Sequence, residues 1–150
     1  MCQVWYKVQD ALRNFRWKLQ RFHRGYSDDD AWSIRDWFLL TMPKVLDTMR
    51  ANLHGSPYGI TFEEWQNILE RMSYCFKEAH EETCSQINKY EDMFDINYTK
   101  NSDGSYTPVI SDEEIYKLWS KRQVEISDYQ TKMLHEGLDL FKKYFWDLWD

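Results

Sequence analysis

The sequence predicts an all-α fold: a bundle of four main helices, with a short hairpin or ordered loop between the third and the fourth. Three observations predict it. Apolar side chains recur at spacings of three and four along four long segments. Helix-capping motifs precede three of these segments, and glycine or proline turns separate them. At a length of 150 residues, we expect residues 1–150 to form a single helical domain.

The first predicted helix covers residues 4–24. Its apolar side chains keep the a/d spacing of a helix that buries one stripe, and they are Trp5, Val8, Leu12, Phe15, Leu19 and Phe22. The helix is also basic. Residues 1–26 carry six lysines and arginines and one aspartate, a net charge of +5. Since the whole chain carries −6, the remainder carries −11, and a basic first helix accompanies an acidic remainder.

The stretch RFHRGYSDDDAW, residues 21–32, changes sign abruptly where this helix ends. Basic side chains in a last turn favour the carbonyl end of a helix dipole, and Gly25 is typical of a helix terminus. Ser27 fits the N-cap of the next helix, with Asp30 three residues later as a variant of the capping box. Opposite charges at two neighbouring helix ends therefore explain the sign change.

The second predicted helix covers residues 28–53, ahead of a turn at residues 54–57. Its apolar face is broad, as in a bundle. Pro43 lies inside it, removes one backbone donor and crowds the carbonyl group of Leu39. We therefore expect a kink near residues 39–43.

The third predicted helix starts at the capping box Thr61–Glu64, and its apolar spacing reaches about residue 94. Segment 95–110 contains an Asp-Gly pair between Tyr- and Thr-rich flanks, which predicts the short hairpin or ordered loop.

The fourth predicted helix starts at Ser111, which repeats the capping-box pattern with Glu114, and it ends in a cluster of aromatic residues. Gly137 inside it indicates a close helix crossing or a bend. Trp146 and Trp149 close the cluster, and we expect them to mediate self-association, most simply as a two-fold dimer. The alternative is that this tail folds back onto the first helix of its own chain.

The sequence favours neither a metal site, a cofactor nor an enzyme. His80 and Cys84 share one face of a helical HEETC segment, but a zinc site needs at least three protein ligands. None of the four histidines follows a glutamate at the spacing of di-iron bundles. The chain also lacks a glycine-rich phosphate loop and a local signature for a serine or cysteine nucleophile.

Composition predicts an intracellular protein without membrane segments. The longest apolar run falls short of the roughly 18–20 residues that span a bilayer, and no signal-peptide pattern precedes the first helix. A pI near 5.2 disfavours binding to extended nucleic acid, which needs a broad basic surface.

Cations and aromatic rings converge at the end of the first helix, and they form the candidate ligand-binding set. Arginine suits phosphate oxygens and aromatic rings stack on bases, so this combination predicts a site for a nucleotide-type small molecule. The set comprises Arg16, Trp17, Arg21, Arg24, Tyr26 and Trp32. The alternative is a basic helix that packs beside the acidic chain and neutralises it.

Four segments of the chain resemble a family of small helical proteins from tailed phages and prophages. They are the Gly-aromatic-Ser-Asp-x-Asp-x-Trp pattern at residues 25–32, Pro43 in the second helix, the T-x-E-E-W motif at residues 61–65 and the Glu-Gly-Leu-x-Leu-Phe-x-Lys-Tyr-Phe pattern at residues 136–145. The resemblance implies a phage origin and residence in the host cell cytoplasm.

For a phage protein without catalytic motifs, the resemblance favours a non-catalytic antagonist of host defence. The leading hypothesis is a homo-oligomeric sponge that sequesters a nucleotide immune signal. A protein-binding inhibitor of a host or defence enzyme is the first alternative. An enzyme that cleaves a nucleotide signal is the second.

Overall fold

The computed structural model describes residues 2–149, with side chains from Lys7 onward. It is mostly helical, which confirms the predicted helical class. Its elements are α1 (Cys2–Arg24), α2 (Asp28–Trp32), α3 (Ile34–Ala51), α4 (Phe62–Glu78), β1 (Ile96–Lys100), β2 (Tyr106–Ile110), α5 (Glu113–Tyr144) and a final 3-10 turn (Phe145–Asp147).

The hydrophobic core lies between α3, α4 and the second half of α5. Its buried members are Leu39, Leu46, Trp65, Leu69, Met72 and Phe76, and partly buried side chains including Phe38, Phe141 and Tyr144 pack around them. Phe38 meets Phe76 edge to face, with ring centroids 5.1 Å apart, a favourable geometry for aromatic pairs. α4 is the central helix, since it packs against both α3 and α5.

The crossing of α4 and α5 depends on Gly137. A Cβ atom at this position would lie 2.9 Å from Cε1 of Phe76 and 3.1 Å from Cβ of Cys75. Only glycine leaves room for the buried ring at this distance. Of the two alternatives that the sequence left open for Gly137, the close crossing is therefore the one found.

The predicted second helix is divided into α2 and α3. Ser33 separates them with φ −115° and ψ 48°, outside the helical region. Serine is a weak helix former because its hydroxyl competes for backbone hydrogen bonds, and this allows the interruption. Pro43 is buried inside α3, and the helix continues on both sides of it. The kink expected at Pro43 stays a prediction.

α4 ends at Glu78 and does not reach residue 94, so that prediction was wrong. The carboxylate of Glu78 accepts hydrogen bonds from the backbone N–H and the hydroxyl of Ser85, at 3.1 and 2.6 Å. Thr83 donates its hydroxyl to the carbonyl group of Lys77 at 2.6 Å. These contacts reverse the chain, and they place Ile87 in an irregular connector between α4 and β1.

The segment between the connector and α5 forms a hairpin. β1 and β2 pair antiparallel, with Ile96 opposite Ile110, and Gly104 occupies the turn with φ +85°. The N-cap of α5 is Asp112, whose side chain accepts from the backbone N–H of Glu114 at 3.0 Å. Ser111 was the predicted cap, but its hydroxyl accepts from the backbone N–H of Asp95 instead.

α1 differs from the other long helices because its apolar stripe is uncovered. The exposed fractions are 47% for Val8, 65% for Leu12, 62% for Phe15, 45% for Leu19 and 84% for Phe22. The side chain of Trp5, at the start of the stripe, lies outside the described residues. Burial of this stripe within the chain was therefore a wrong expectation, and the union of four helices in one bundle stays a prediction.

Among the described residues, no helix combines the length and the apolar character that crossing a bilayer requires.

Candidate functional site

Arginines of α1 and aspartates of α2 form an ion-paired clamp at the predicted site. Nε and one terminal nitrogen of Arg21 donate to the two carboxylate oxygens of Asp30, at 2.9 and 2.6 Å. Arg24 donates to Asp28, and Gln20 donates to the same carboxylate at 2.7 Å. Bidentate pairing of this kind fixes orientation as well as charge. The clamp therefore attaches the polar side of α1 to α2.

The capping box of α2 buries one end of the clamp. The hydroxyl of Ser27 accepts from the backbone N–H of Asp30 at 3.2 Å, and the carboxylate of Asp30 accepts from the backbone N–H of Ser27 at 2.7 Å. This confirms the predicted N-cap. The hydrogen bond from Arg21 is the main cause that lowers the pKa of Asp30, and it outweighs the burial of the carboxylate. Asp30 is therefore anionic at neutral pH.

The other predicted site residues are only partly brought together. The guanidinium of Arg24 lies 4.7 Å from the ring centroid of Tyr26, and Arg16 reaches Asp28 at 3.4 Å. Trp17 instead contacts Arg13, whose guanidinium carbon lies 5.2 Å from its ring centroid. Trp32 is 91% exposed. Whether these six residues bind a ligand stays a prediction.

A hollow of about 450 Å³ lies beside the clamp, and its charge is unfavourable for phosphate. We call it the junction hollow. It is lined by Arg21 and by three carboxylates, those of Asp29, Asp30 and Asp36. Because Arg21 already pairs with Asp30, an incoming phosphate would meet net negative charge.

A second hollow, of about 570 Å³, has the opposite balance of charge. We call it the α5 hollow, and it lies between the first half of α5 and the connector after α4. Its lining residues are Ile87, Lys89, Tyr90, Leu118, Lys121, Arg122 and Glu125. Three cations thus face one carboxylate in a space within the usual range of small-molecule sites, about 300–1,000 Å³.

Arg122 is held in place at the α5 hollow. Its guanidinium donates to the carbonyl group of Ile87 at 3.3 Å, to Gln86 at 2.9 Å and to Glu125 at 3.2 Å. A guanidinium carries five N–H donors, so some of them stay free for a ligand. Its orientation is fixed before any ligand arrives, which lowers the entropy cost of binding.

The two lysines of the α5 hollow are less engaged than the arginines of the clamp. Nζ of Lys89 lies 5.0 Å from the ring centroid of Tyr90. Within residues 7–149, neither Lys89 nor Lys121 forms an ion pair with a carboxylate. Their charge is therefore available to an anion, and the ring of Tyr90 offers an adjoining surface for stacking.

The α5 hollow was not predictable from sequence patterns, because its two halves are about thirty positions apart. Helix three was expected to continue to residue 94, which would have placed Lys89 and Tyr90 on a helix face. The available signal lay in the acidic part of the chain, where Lys89 stands beside the aromatic Tyr90 and Lys121 stands beside Arg122. That signal becomes a site only when the chain reverses after α4.

Exposed aromatic residues gather where the loop before α4 meets the segment that follows α5. A hollow of about 440 Å³ is lined by Tyr58, Trp65, Trp149 and Asp147, together with residues 55–57. Tyr58 is fully exposed, and Trp146 and Trp149 are 84% and 75% exposed. Tryptophan and tyrosine at this exposure are typical anchors of protein interfaces.

In the described part of the chain, no three His, Cys, Asp or Glu side chains are grouped as a metal site would require. Burial raises the pKa of the Cys75 thiol to about 11, so it is protonated at neutral pH and a poor nucleophile. The chain matches no protein-family model, no curated protein and no solved structure.

Proposed function

We propose that this protein is a non-catalytic binding protein that sequesters a nucleotide-type anion, as the phage resemblance led us to expect for an antagonist of host defence. The observation that carries the proposal is the charge of the α5 hollow. Lys89, Lys121 and Arg122 face Glu125 alone, and Tyr90 adds a ring beside them. A phosphate and a base need cations and a ring in the same place.

The proposed ligand site is the α5 hollow and not the clamp that the sequence predicted. At the clamp, Arg21 and Arg24 already neutralise Asp30 and Asp28. A phosphate would have to displace a buried bidentate carboxylate, whereas Lys89 and Lys121 have no carboxylate to lose. The arginine pairs of α1 therefore serve the architecture, and the α5 hollow serves the ligand.

Uptake of a nucleotide separates a sponge from an enzyme. The protein is incubated with AMP, a cyclic dinucleotide and cyclic ADP-ribose in parallel, then isolated and heated to release what it bound. Intact recovery of a compound supports sequestration. Recovery as a cleaved product would show an enzyme, and absence of uptake of all three would refute the proposed ligand class.

Two matched double variants locate the site. Lys121→Ala with Arg122→Ala removes two cations from the α5 hollow and is expected to abolish uptake. Arg21→Ala with Arg24→Ala removes two cations from the clamp and is expected to weaken the attachment of α1 while uptake persists. Loss of uptake in the second pair alone would return the site to the six residues predicted from the sequence.

A protein-binding inhibitor is the second candidate, because aromatic side chains are exposed around Tyr58, Trp146 and Trp149. Such a surface suits a partner with an apolar groove. A complex with a defence enzyme that survives Lys121→Ala with Arg122→Ala but not Trp146→Ala with Trp149→Ala would favour this candidate.

A further inference from the structure

The uncovered stripe of α1 follows a strict heptad repeat. Val8, Leu12, Phe15, Leu19 and Phe22 alternate steps of four and three, and Trp5 extends the series in the sequence. A stripe this narrow is the seam of a two-helix coiled coil, whereas a helix on a core or a membrane surface presents a broader apolar face. The described stripe is 45% to 84% exposed, so no described residue of the chain covers it.

The charge of α1 favours a partner without strong charge. Arg13 pairs with Asp10 at 2.8 Å, and Arg16, Arg21 and Arg24 pair with aspartates of α2. Four of the six cations are thus neutralised inside the chain. An anionic membrane or an acidic helix would find little free positive charge, and the like-charge repulsion between two copies of α1 is reduced for the same reason.

We propose that a second copy of this chain covers the stripe, with the two α1 helices antiparallel about a two-fold axis near residues 13 and 14. In this register every a residue meets a d residue of the partner copy. Leu12 meets Phe15, Val8 meets Leu19, and the sequence places Trp5 against Phe22. The interface is isologous, so the same patch serves both copies.

The residues that flank the seam fit the antiparallel register. In an antiparallel pair, e positions lie opposite e positions and g positions lie opposite g positions. This arrangement brings Gln9 near Arg16 and Ala11 near Lys18. No two like charges are opposed. The parallel register would instead bring Lys18 near His23.

The position of the body also favours the antiparallel register. α2 and the acidic remainder, with a net charge of −11, follow the C-terminal end of α1. A parallel pair would place two such bodies side by side. An antiparallel pair separates them by nearly the length of a helix of 23 residues, about 35 Å, which is well beyond a screening length of about 8 Å.

Self-association is measured first by light scattering over a range of concentrations. The mass is expected to rise from 18.4 kDa toward twice that value. Three heptads is near the shortest repeat that forms a coiled coil, so the dimer is expected to dissociate on dilution. A mass of one chain at all concentrations up to 1 mM would overturn the proposal.

Matched variants then test the surface. Leu12→Glu with Phe15→Glu places four carboxylates at the axis of the dimer and is expected to give a monomer with an unchanged helical circular dichroism spectrum. Val124→Glu with Leu138→Glu makes the same substitutions at exposed positions of α5 and is expected to leave the dimer intact. A dimer that survives the first pair, or that is lost only in the second, would assign the contact to another face.

Cysteine cross-linking tests the register, in a background with Cys2→Ser and Cys84→Ser. In the antiparallel pair, two copies of the Val8→Cys variant hold their new residues about 16 Å apart along the axis, too far for a disulfide. The same holds for Leu19→Cys. Only a mixture of the two variants is expected to form a cross-linked dimer, whereas self-linking of each variant would show the parallel register.

Other occupants of the stripe give distinct results. In one, a monomer cosediments with phosphatidylserine vesicles and loses this binding in Leu12→Glu with Phe15→Glu. That result would show that a membrane surface covers the stripe in place of a second copy. Tight binding of a monomer to a designed peptide with leucine at a and d and glutamate at e and g would replace it by an acidic helix. Either result would overturn the proposal, and neither depends on the nucleotide site.

Discussion

α4 and α1 are both amphipathic helices, yet the apolar stripe of α4 is buried and that of α1 is exposed. In α4, Leu69, Met72 and Phe76 are completely buried between α3 and α5. In α1, Leu12 and Phe22 face away from the chain. The difference lies in the polar side. Arg21 and Arg24 of α1 are bound to Asp30 and Asp28, which turns the apolar side outward.

The amphipathic pattern of a helix specifies an apolar stripe but not what covers that stripe. α4 gains its burial from neighbours in its own chain, where Gly137 lets α5 approach closely. α1 is connected to the body through charged groups near its end, so its stripe stays free for a contact outside the chain. This uncovered stripe is the surface at which we propose that a second copy of the chain binds.

Removal of one aromatic ring is expected to destabilise the protein far more in the stripe of α4 than in that of α1. Phe76→Ala removes a buried ring from the core and is expected to lower the free energy of unfolding by about 3–5 kcal/mol. Phe15→Ala removes an exposed ring from α1 and is expected to change it by less than about 0.5 kcal/mol in the monomer. Urea denaturation at low protein concentration measures both.

The same two variants test whether the stripe of α1 is uncovered in the monomer. A loss above about 2 kcal/mol for Phe15→Ala at a concentration where the protein is a monomer would show that the stripe of α1 is covered within its own chain. At high concentration the loss is expected to grow, because the proposed dimer would add stability that depends on concentration.

Local signals in the sequence predicted the starts of α2 and α4 correctly. The capping boxes at Ser27 and Thr61 are formed by residues three positions apart, so no tertiary contact is needed to predict them. The end of α4 was not predictable in this way. Apolar spacing continues through Ile87 and Tyr90, while the reversal depends on Glu78 and on its hydrogen bonds to Ser85 and Tyr129.

The clamp and the α5 hollow also differ in how far the sequence alone could predict them. The sequence predicted that Arg21 and Arg24 lie beside Tyr26, but their pairing with Asp30 and Asp28 is a matter of which faces meet after Gly25. A run of charges cannot show whether it is a binding surface or a set of internal ion pairs. The α5 hollow required the position of the connector, which follows only from the folded chain.

The clamp that turns α1 outward is expected to stabilise the junction between α1 and α2. Asp30→Asn removes the charge that Arg21 meets and is expected to lower the free energy of local opening at residues 21–33 by about 1–2 kcal/mol. Hydrogen bonds to charged groups contribute about 1.5–3 kcal/mol, and exposure of Arg21 reduces that value here. Hydrogen exchange of the backbone amides measures the opening.

The clamp is also expected to depend on pH. The folded state lowers the pKa of Asp30 below its ordinary value of 3.8, so its contribution is complete above about pH 5 and is lost progressively as the pH falls further. Asp30→Asn is expected to reduce this acid sensitivity at residues 21–33. Asp139→Asn, at an exposed position of α5 where the described residues provide no partner, is the control and should leave protection of this segment unchanged.

The N-caps of α4 and α5 are expected to make smaller contributions to stability. Thr61 caps α4 by accepting from the backbone N–H of Glu64 at 3.2 Å, so Thr61→Ala is expected to lower the free energy of unfolding by about 1 kcal/mol. Asp112 accepts two backbone N–H groups at the start of α5, and Asp112→Ala is expected to cost a similar amount.

Ser111→Ala is the matched control for the start of α5, because the sequence motif predicted Ser111 as the cap and the structure assigns that role to its neighbour. Its hydroxyl accepts from the backbone N–H of Asp95, an exposed contact, so its loss is expected to cost less than about 0.5 kcal/mol. Thermal denaturation of the three variants measures their stability losses and ranks them. If Ser111→Ala proves as costly as Thr61→Ala while Asp112→Ala is neutral, the helix starts one residue earlier in solution, and the local motif would then have been the better guide.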